Sequence, residues 1–166
     1  SPPGVPLTED VFTKKQALAT GIPVGIRFNS FMMLNQACAR PSHFQVRLKA
    51  DGLFRIVLFV GDVLVPVQKA RVETFCNQLD DPHNFLRSVT PKESKVDSVI
   101  EVLTIHSSKR WDTDLIRDFP SILRPWDDYT GYDYNKVHVD DRSESTRLNS
   151  SHNTIPYAVS PLYKTN

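Results

Sequence analysis

The chain has 166 residues, enough for one domain with a real core. Twenty Lys and Arg against 19 Asp and Glu leave a formal charge of +1, which gives no electrostatic case for nucleic acid or an anionic membrane surface. No run approaches the roughly 20 apolar residues that cross a bilayer. The start, SPPGVPLTED, has neither the basic opening nor the apolar centre of a signal peptide and no initiator Met, so the chain is expected to begin within a longer protein. Two cysteines, Cys38 and Cys76, stand far apart with no CxxC and no zinc spacing, the pattern of two reduced thiols in a cytoplasmic protein.

Residues 1–37 read as a connector. Pro2, Pro3 and Pro6 break the chain early, and Gly21, Pro23 and Gly25 interrupt it later. Between them TEDVFTKKQALA predicts a short helix over 8–19, with Thr8 as N-cap and acids in its first turn. The pattern becomes orderly after Pro41. HFQVRL alternates apolar Phe44, Val46 and Leu48 with polar neighbours and predicts a half-buried strand over 43–48. Asp51-Gly52 is a strong hairpin signal, and residues 53–60 follow as the second arm. That arm is so continuously apolar that it predicts a central strand covered on both faces. Arg55 inside it then needs an acid, for which Asp97 and Glu101 are candidates.

Pro66 suits the first position of a helix. Val67, Ala70, Arg71, Thr74, Phe75 and Leu79 share one side of the wheel, flanked by Val72 and Cys76, and Asp80-Asp81-Pro82 ends it. VDSVIEVLTIHSS predicts a second buried strand over 96–108. Strand, helix and strand in this order imply a parallel pair joined by a right-handed crossover. DTDLIRDF predicts a short helix over 112–119, LRPWDDYTGYDYNK an aromatic-rich loop, and residues 136–140 one more strand.

Chemical motifs are sparse. There is no GxGxxG and no GxxxxGK[ST], so no phosphate cradle of the usual kind. His43, His83, His106, His138 and His152 form no i, i+4 pair and no ligand cluster. Ser107-Ser108 has no nucleophile-elbow context. Asp127-Asp128 and Asp140-Asp141 are expected to be solvated or paired with cations such as Lys136 or Arg124. Trp126, Tyr129, Tyr132 and Tyr134 leave two readings open, a cover for the sheet edge or a partner-binding patch. No catalytic, cofactor-binding or metal-binding residue is singled out.

HFQVRLKADGLFRIVLFVGD, DSVIEVLTIHSS and LRPWDDYTGYDYNKVHVDD together resemble the C-terminal domain of phenol hydroxylase-type flavoprotein monooxygenases, over roughly residues 21–141. The resemblance implies an α/β, thioredoxin-like mixed sheet with flanking helices over 38–141, lacking a redox CxxC and serving dimerisation. It implies a parent enzyme that uses FAD and NADPH to hydroxylate a phenol, with those sites in preceding domains. A homodimer through this domain is expected, with no nucleic-acid or membrane partner. The alternative is a free-standing thioredoxin-like redox or interaction module, in which Cys76 would carry the chemistry. Beyond Asp141 the family pattern stops. STRLNSSH and the later I-x-YAV resemble a translated sequencing adapter, so 142–166 are expected to be a disordered, non-native tail and the fold to be truncated at its C-terminal edge.

Overall fold

The computed structural model describes residues 25–140. The helix expected over 8–19 and the tail 142–166 lie outside the described residues. Every element below belongs to the unit Ser30–Ser150. In chain order they are β1 (Met32–Asn35), β2 (Pro41–His43), β3 (Phe54–Gly61), α1 (Pro66–Asp80), α2 (Phe85–Val89), β4 (Ile100–His106), β5 (Trp126–Asp127), β6 (Gly131–Tyr132) and β7 (Val137–Val139), with short 3-10 turns between them.

Five strands form one mixed sheet in the order β2-β1-β7-β4-β3, and β5 pairs with β6 in a separate hairpin. β3 runs parallel to β4 in the register Phe54↔Ile100 to Phe59↔Ile105, then shifts at a bulge before Gly61. β4 runs parallel to β7, whereas β1 is antiparallel to both β7 and β2. The α/β class, a mixed sheet with flanking helices, is the expected one. The parallel pairing of β3 with β4 on either side of α1 in the chain is also as expected.

α1 begins where Pro66 supplies a preset φ and lacks an N–H that would otherwise go unpaired. Val72, Cys76 and Leu79, at i, i+4 and i+7, form its buried seam. The seam is rotated from the expected stripe. Val67 and Thr74 face water, and Phe75 is half-buried at the stripe's margin. Against the seam pack Val60, Leu86, Val102, Leu115, Phe119, Ile122, Leu123 and Val137, which make the main core on one sheet face. On the other face Phe31 stacks on Phe44 at 5.1 Å between ring centroids and meets Phe59 at 6.4 Å.

Four expectations are corrected. First, residues 43–48 are not one strand. β2 ends at His43, and Phe44–Arg47 coil into a 3-10 turn that buries Phe44 but leaves Val46 65% exposed. Apolar alternation over six residues did not define a face. Secondly, Asp51-Gly52 does turn, with Gly52 at φ +79 and the Asp51 Oδ1 accepting from the Leu53 N–H at 3.2 Å. Its arms do not pair, because β2 pairs with β1. Thirdly, 112–119 is not a helix. Its backbone turns around Asp114, whose Oδ1 accepts from the N–H groups of Ile116 and Arg117.

The fourth correction concerns β3, which is the margin of the sheet among the described residues, not its centre. β4 is the central parallel strand, buried from Glu101 to His106. A continuous apolar run reports that both faces are covered; it does not report how many strands lie alongside. The sheet also starts before the expected boundary at residue 38, since β1 lies within the stretch read as connector.

Candidate interaction surface

The most polar part of the sheet lies where β3 and β4 begin. The register sets Arg55 opposite Glu101, which places both side chains on one face. The Arg55 guanidinium donates from Nε to Glu101 Oε2 at 2.7 Å, from Nη1 to the Lys49 carbonyl at 2.8 Å and from Nη2 to Asp51 Oδ2 at 2.5 Å. The buried Lys136 ammonium, just before β7, reaches Glu101 at 2.5 Å, Asp97 at 2.9 Å and Asp133 at 3.4 Å. Both acids proposed from the sequence are therefore used, Glu101 by Arg55 and Asp97 by Lys136. Burial pushes the Glu101 carboxyl up, but its contacts with Lys136 and Arg55 outweigh that and hold it below the usual range. Burial alone would lower Lys136, and its bonds to Glu101 and Asp97 leave it raised instead. These charges are committed to one another, so the cluster is a structural clasp that offers no acid or base for chemistry.

Fixing Arg55 in that clasp has a consequence for β3. Edge strands are usually blunted by a charge, a proline or a bulge. β3 carries no proline, its bulge comes only after Phe59, and its one charge is turned onto the sheet face. Phe54 N donates to the Val99 carbonyl at 3.1 Å. In a parallel ladder, successive residues alternate which side their backbone addresses. Phe54, Ile56 and Leu58 thus address β4, and the N–H and C=O of Arg55 and Val57 address the outer margin. Ile56, Leu58 and Phe75 are only partly buried where they pack on the core, and Phe54 is 72% exposed.

The aromatic segment forms the β5–β6 hairpin. Trp126 meets Tyr132 edge-on at 4.8 Å, and the Arg124 guanidinium lies 4.7 Å over the Tyr132 ring. Tyr129 at the tip is 99% exposed and Trp126 59%. With residues 92–95 they border an open cleft of about 310 Å³. Asp127 pairs with Lys95 at 2.6 Å, rather than with Lys136 or Arg124. That bond, with the Thr130 and Tyr129 N–H groups, holds its carboxyl down at about 2. Asp128 accepts from the Trp126 indole at 3.1 Å.

The remaining candidates are dispersed. His43 and His83 are exposed, and His152 lies outside the described residues. His106 and His138 are buried, and the pairing of His138 with Ile105 puts them on opposite sheet faces. Among the described residues no three His, Cys, Asp or Glu gather in a way that could hold a metal ion. Ser108 Oγ is buried and accepts from the Val63 N–H at 2.8 Å, so it fastens the turn into α1. Cys38 is exposed and Cys76 buried, and neither is in a disulfide. Burial, then Asp80 and Glu73, push the Cys76 thiol up to about 12, the opposite of an activated cysteine. A thiol-reactive chromophore is expected to modify Cys38 within minutes and Cys76 only after denaturant is added. Rapid modification of native Cys76 would return the redox-module alternative to contention.

A mixed sheet with a self-contained charge clasp and an exposed aromatic hairpin defines an α/β domain. The chain belongs to the family described as phenol hydroxylase, C-terminal dimerisation domain, whose model matches residues 5–157. Among curated proteins it is 33% identical over 143 residues to phenol 2-monooxygenase fsqG of Aspergillus fumigatus, covering 86% of this chain and 22% of that protein. It is 30% identical to 3-hydroxybenzoate 4-monooxygenase of Comamonas testosteroni, covering 76% and 20%, and 27% identical to FAD-dependent monooxygenase terD of Aspergillus terreus, covering 77% and 21%. The chain spans about a fifth of the length of these relatives. No helix among the described residues is long and apolar enough to cross a membrane.

Proposed function

We propose that the chain is the C-terminal part of a cytoplasmic FAD- and NADPH-dependent phenol hydroxylase, and that it contributes assembly rather than chemistry. It joins two parent subunits as a homodimer and holds no active site of its own. Its membership in a dimerisation-domain family carries this reading. The relatives named phenol 2-monooxygenase and FAD-dependent monooxygenase support the parent's reaction and cofactor. The phenol, FAD and NADPH are handled by the parent's other domains, and neither nucleic acid nor membrane is a partner.

The described residues do not fit a flavin dinucleotide. Their four glycines, Gly25, Gly52, Gly61 and Gly131, are scattered along the chain rather than gathered in one phosphate-binding loop at a helix start. No catalytic step is therefore derived through this chain. Purified alone, it is expected to show no visible flavin absorbance and no phenol-dependent NADPH oxidation. Either signal would overturn the proposal.

A further inference from the structure

We infer that the second subunit is anchored at the β5–β6 hairpin, where Tyr129 of each copy enters the cleft between the hairpin and residues 92–95 of the other. The inference rests on the dimerisation reading and goes beyond it by naming the surface. Three observations converge there. The Tyr129 ring, 99% exposed at the hairpin tip, covers nothing in its own subunit among the described residues, and Trp126 on the same cleft is 59% exposed. The cleft holds about 310 Å³. A cavity of about 150 Å³ already accommodates benzene, so a phenol ring has room. Ring and cleft are also held in fixed relation. Asp127 Oδ1 accepts from the N–H groups of Tyr129 at 2.9 Å and Thr130 at 3.0 Å, which shapes the tip, and Oδ2 pairs with Lys95 at 2.6 Å, which ties the tip to the facing wall. A surface ordered in advance loses less entropy on association.

A second copy of this chain fits that surface in a way a generic partner need not. A two-fold contact brings one patch of each subunit onto the same patch of the other, so a projecting ring and its receiving cleft must share a face. Here Tyr129 borders the cleft itself. The charges are complementary in the same sense. Two lysines less one glutamate, Lys92, Lys95 and Glu93, make one wall net positive, whereas Asp127 and Asp128 make the hairpin wall negative. As Tyr129 enters the mate's cleft, it carries Asp128 to the mate's 92–95 wall. Lys95 is taken there by Asp127, which leaves Lys92 to meet Asp128. Tyrosine and tryptophan are the residue types that anchor interfaces. A stable interface buries about 1,200–2,000 Å² in all, so the hairpin supplies the anchor and not the whole contact.

Sedimentation equilibrium of the 166-residue chain and four variants tests this. Tyr129→Ala removes an exposed ring, so it is expected to keep the circular dichroism of the unsubstituted chain. It is expected to weaken dimerisation roughly tenfold or more. Trp111→Ala, at a ring 86% exposed in the 110–112 turn, is expected to leave dimerisation unchanged. Lys92→Glu and Asp128→Lys each set like charges against one another across the contact, and each is expected to weaken it. An equimolar mixture of those two variants is expected to regain the dimer, because reversed charges then meet in one half of the contact and native charges in the other. A Tyr129→Ala chain that dimerises like the unsubstituted one overturns the assignment but leaves the dimerisation reading standing. So does a mixture that associates no better than either variant alone, and so does dissociation caused by Trp111→Ala. A monomeric unsubstituted chain refutes the dimerisation reading itself, and the inference with it.

Discussion

Lys136→Met is expected to destabilise the chain by about 3–5 kcal/mol, because it strands buried carboxylates without their cation. The Lys136 side chain is 7% exposed, and its partners Glu101 and Asp97 are 9% and 16% exposed. Arg55 still holds one oxygen of Glu101 in the variant, but Asp97 loses its ammonium partner. Adding Glu101→Gln should restore part of the loss, since the pair acts as a unit and the two effects are not additive. Urea melts of the single and double variants followed by circular dichroism read this directly. A loss under about 1 kcal/mol would mean that the clasp is solvated and worth no more than a surface pair. The clasp also has a pH window. The carboxyl of Glu101 is lowered in the folded chain, so its contribution is present above the unfolded value near 4.5 and is lost as pH falls through the folded one. Lys136 is raised above 10.5, so its contribution is present below that value and is lost as pH rises through the folded one.

Acid should weaken the fold before the carboxylates titrate, through two histidines. His106 and His138 are both depressed from 6.5 to about 4. Burial is the main cause for each. At His106 the Asp62 carboxylate opposes burial and His138 adds a smaller repulsion, whereas Arg47 repels a charge on His138. The bonding around His106 explains why it stays neutral. The Gln36 side-chain amide donates to the carbonyls of Thr113 at 2.7 Å and Arg110 at 3.2 Å, which turns Oε1 toward the His106 ring, 3.1 Å from Nε2. Nε2 therefore carries the proton, and a second proton on Nδ1 would find no partner in a buried site. His138 Nδ1 is likewise buried without a partner.

Between pH 6.5 and about 4 the unfolded chain binds protons that the folded chain refuses. Stability is thus whole above 6.5 and falls with pH across that window, by up to roughly 1.4 kcal/mol per pH unit for each histidine. His106→Gln should remove about half of that slope. Denaturation midpoints from pH 7.5 to 5 check both statements, and a flat profile over that range would contradict them.

What the sequence disclosed, and what it withheld, divides along physical lines. α1 was legible because Pro66 and Asp80-Asp81-Pro82 punctuate a helical period, and β4 because a long β-branched run is hard to place anywhere but in a sheet. The Arg55–Glu101 pair was legible because a charge inside an apolar strand has few places to find an acid. The lateral position of β3 was not legible, since strand order depends on where β7 inserts, and β7 follows β3 by more than seventy residues. β1, β2, β5 and β6 are four residues or fewer, too short for any period to declare them. The aromatic cluster announced exposure but not its hairpin, whose pairing spans only Trp126↔Tyr132 and Asp127↔Gly131.

The central claim, that this chain is an assembly module, is tested most directly by the mass of the unsubstituted chain at sedimentation equilibrium across a dilution series. The account predicts a species of twice the 18.9 kDa chain mass that dissociates on dilution. A single 18.9 kDa species at every concentration would contradict it.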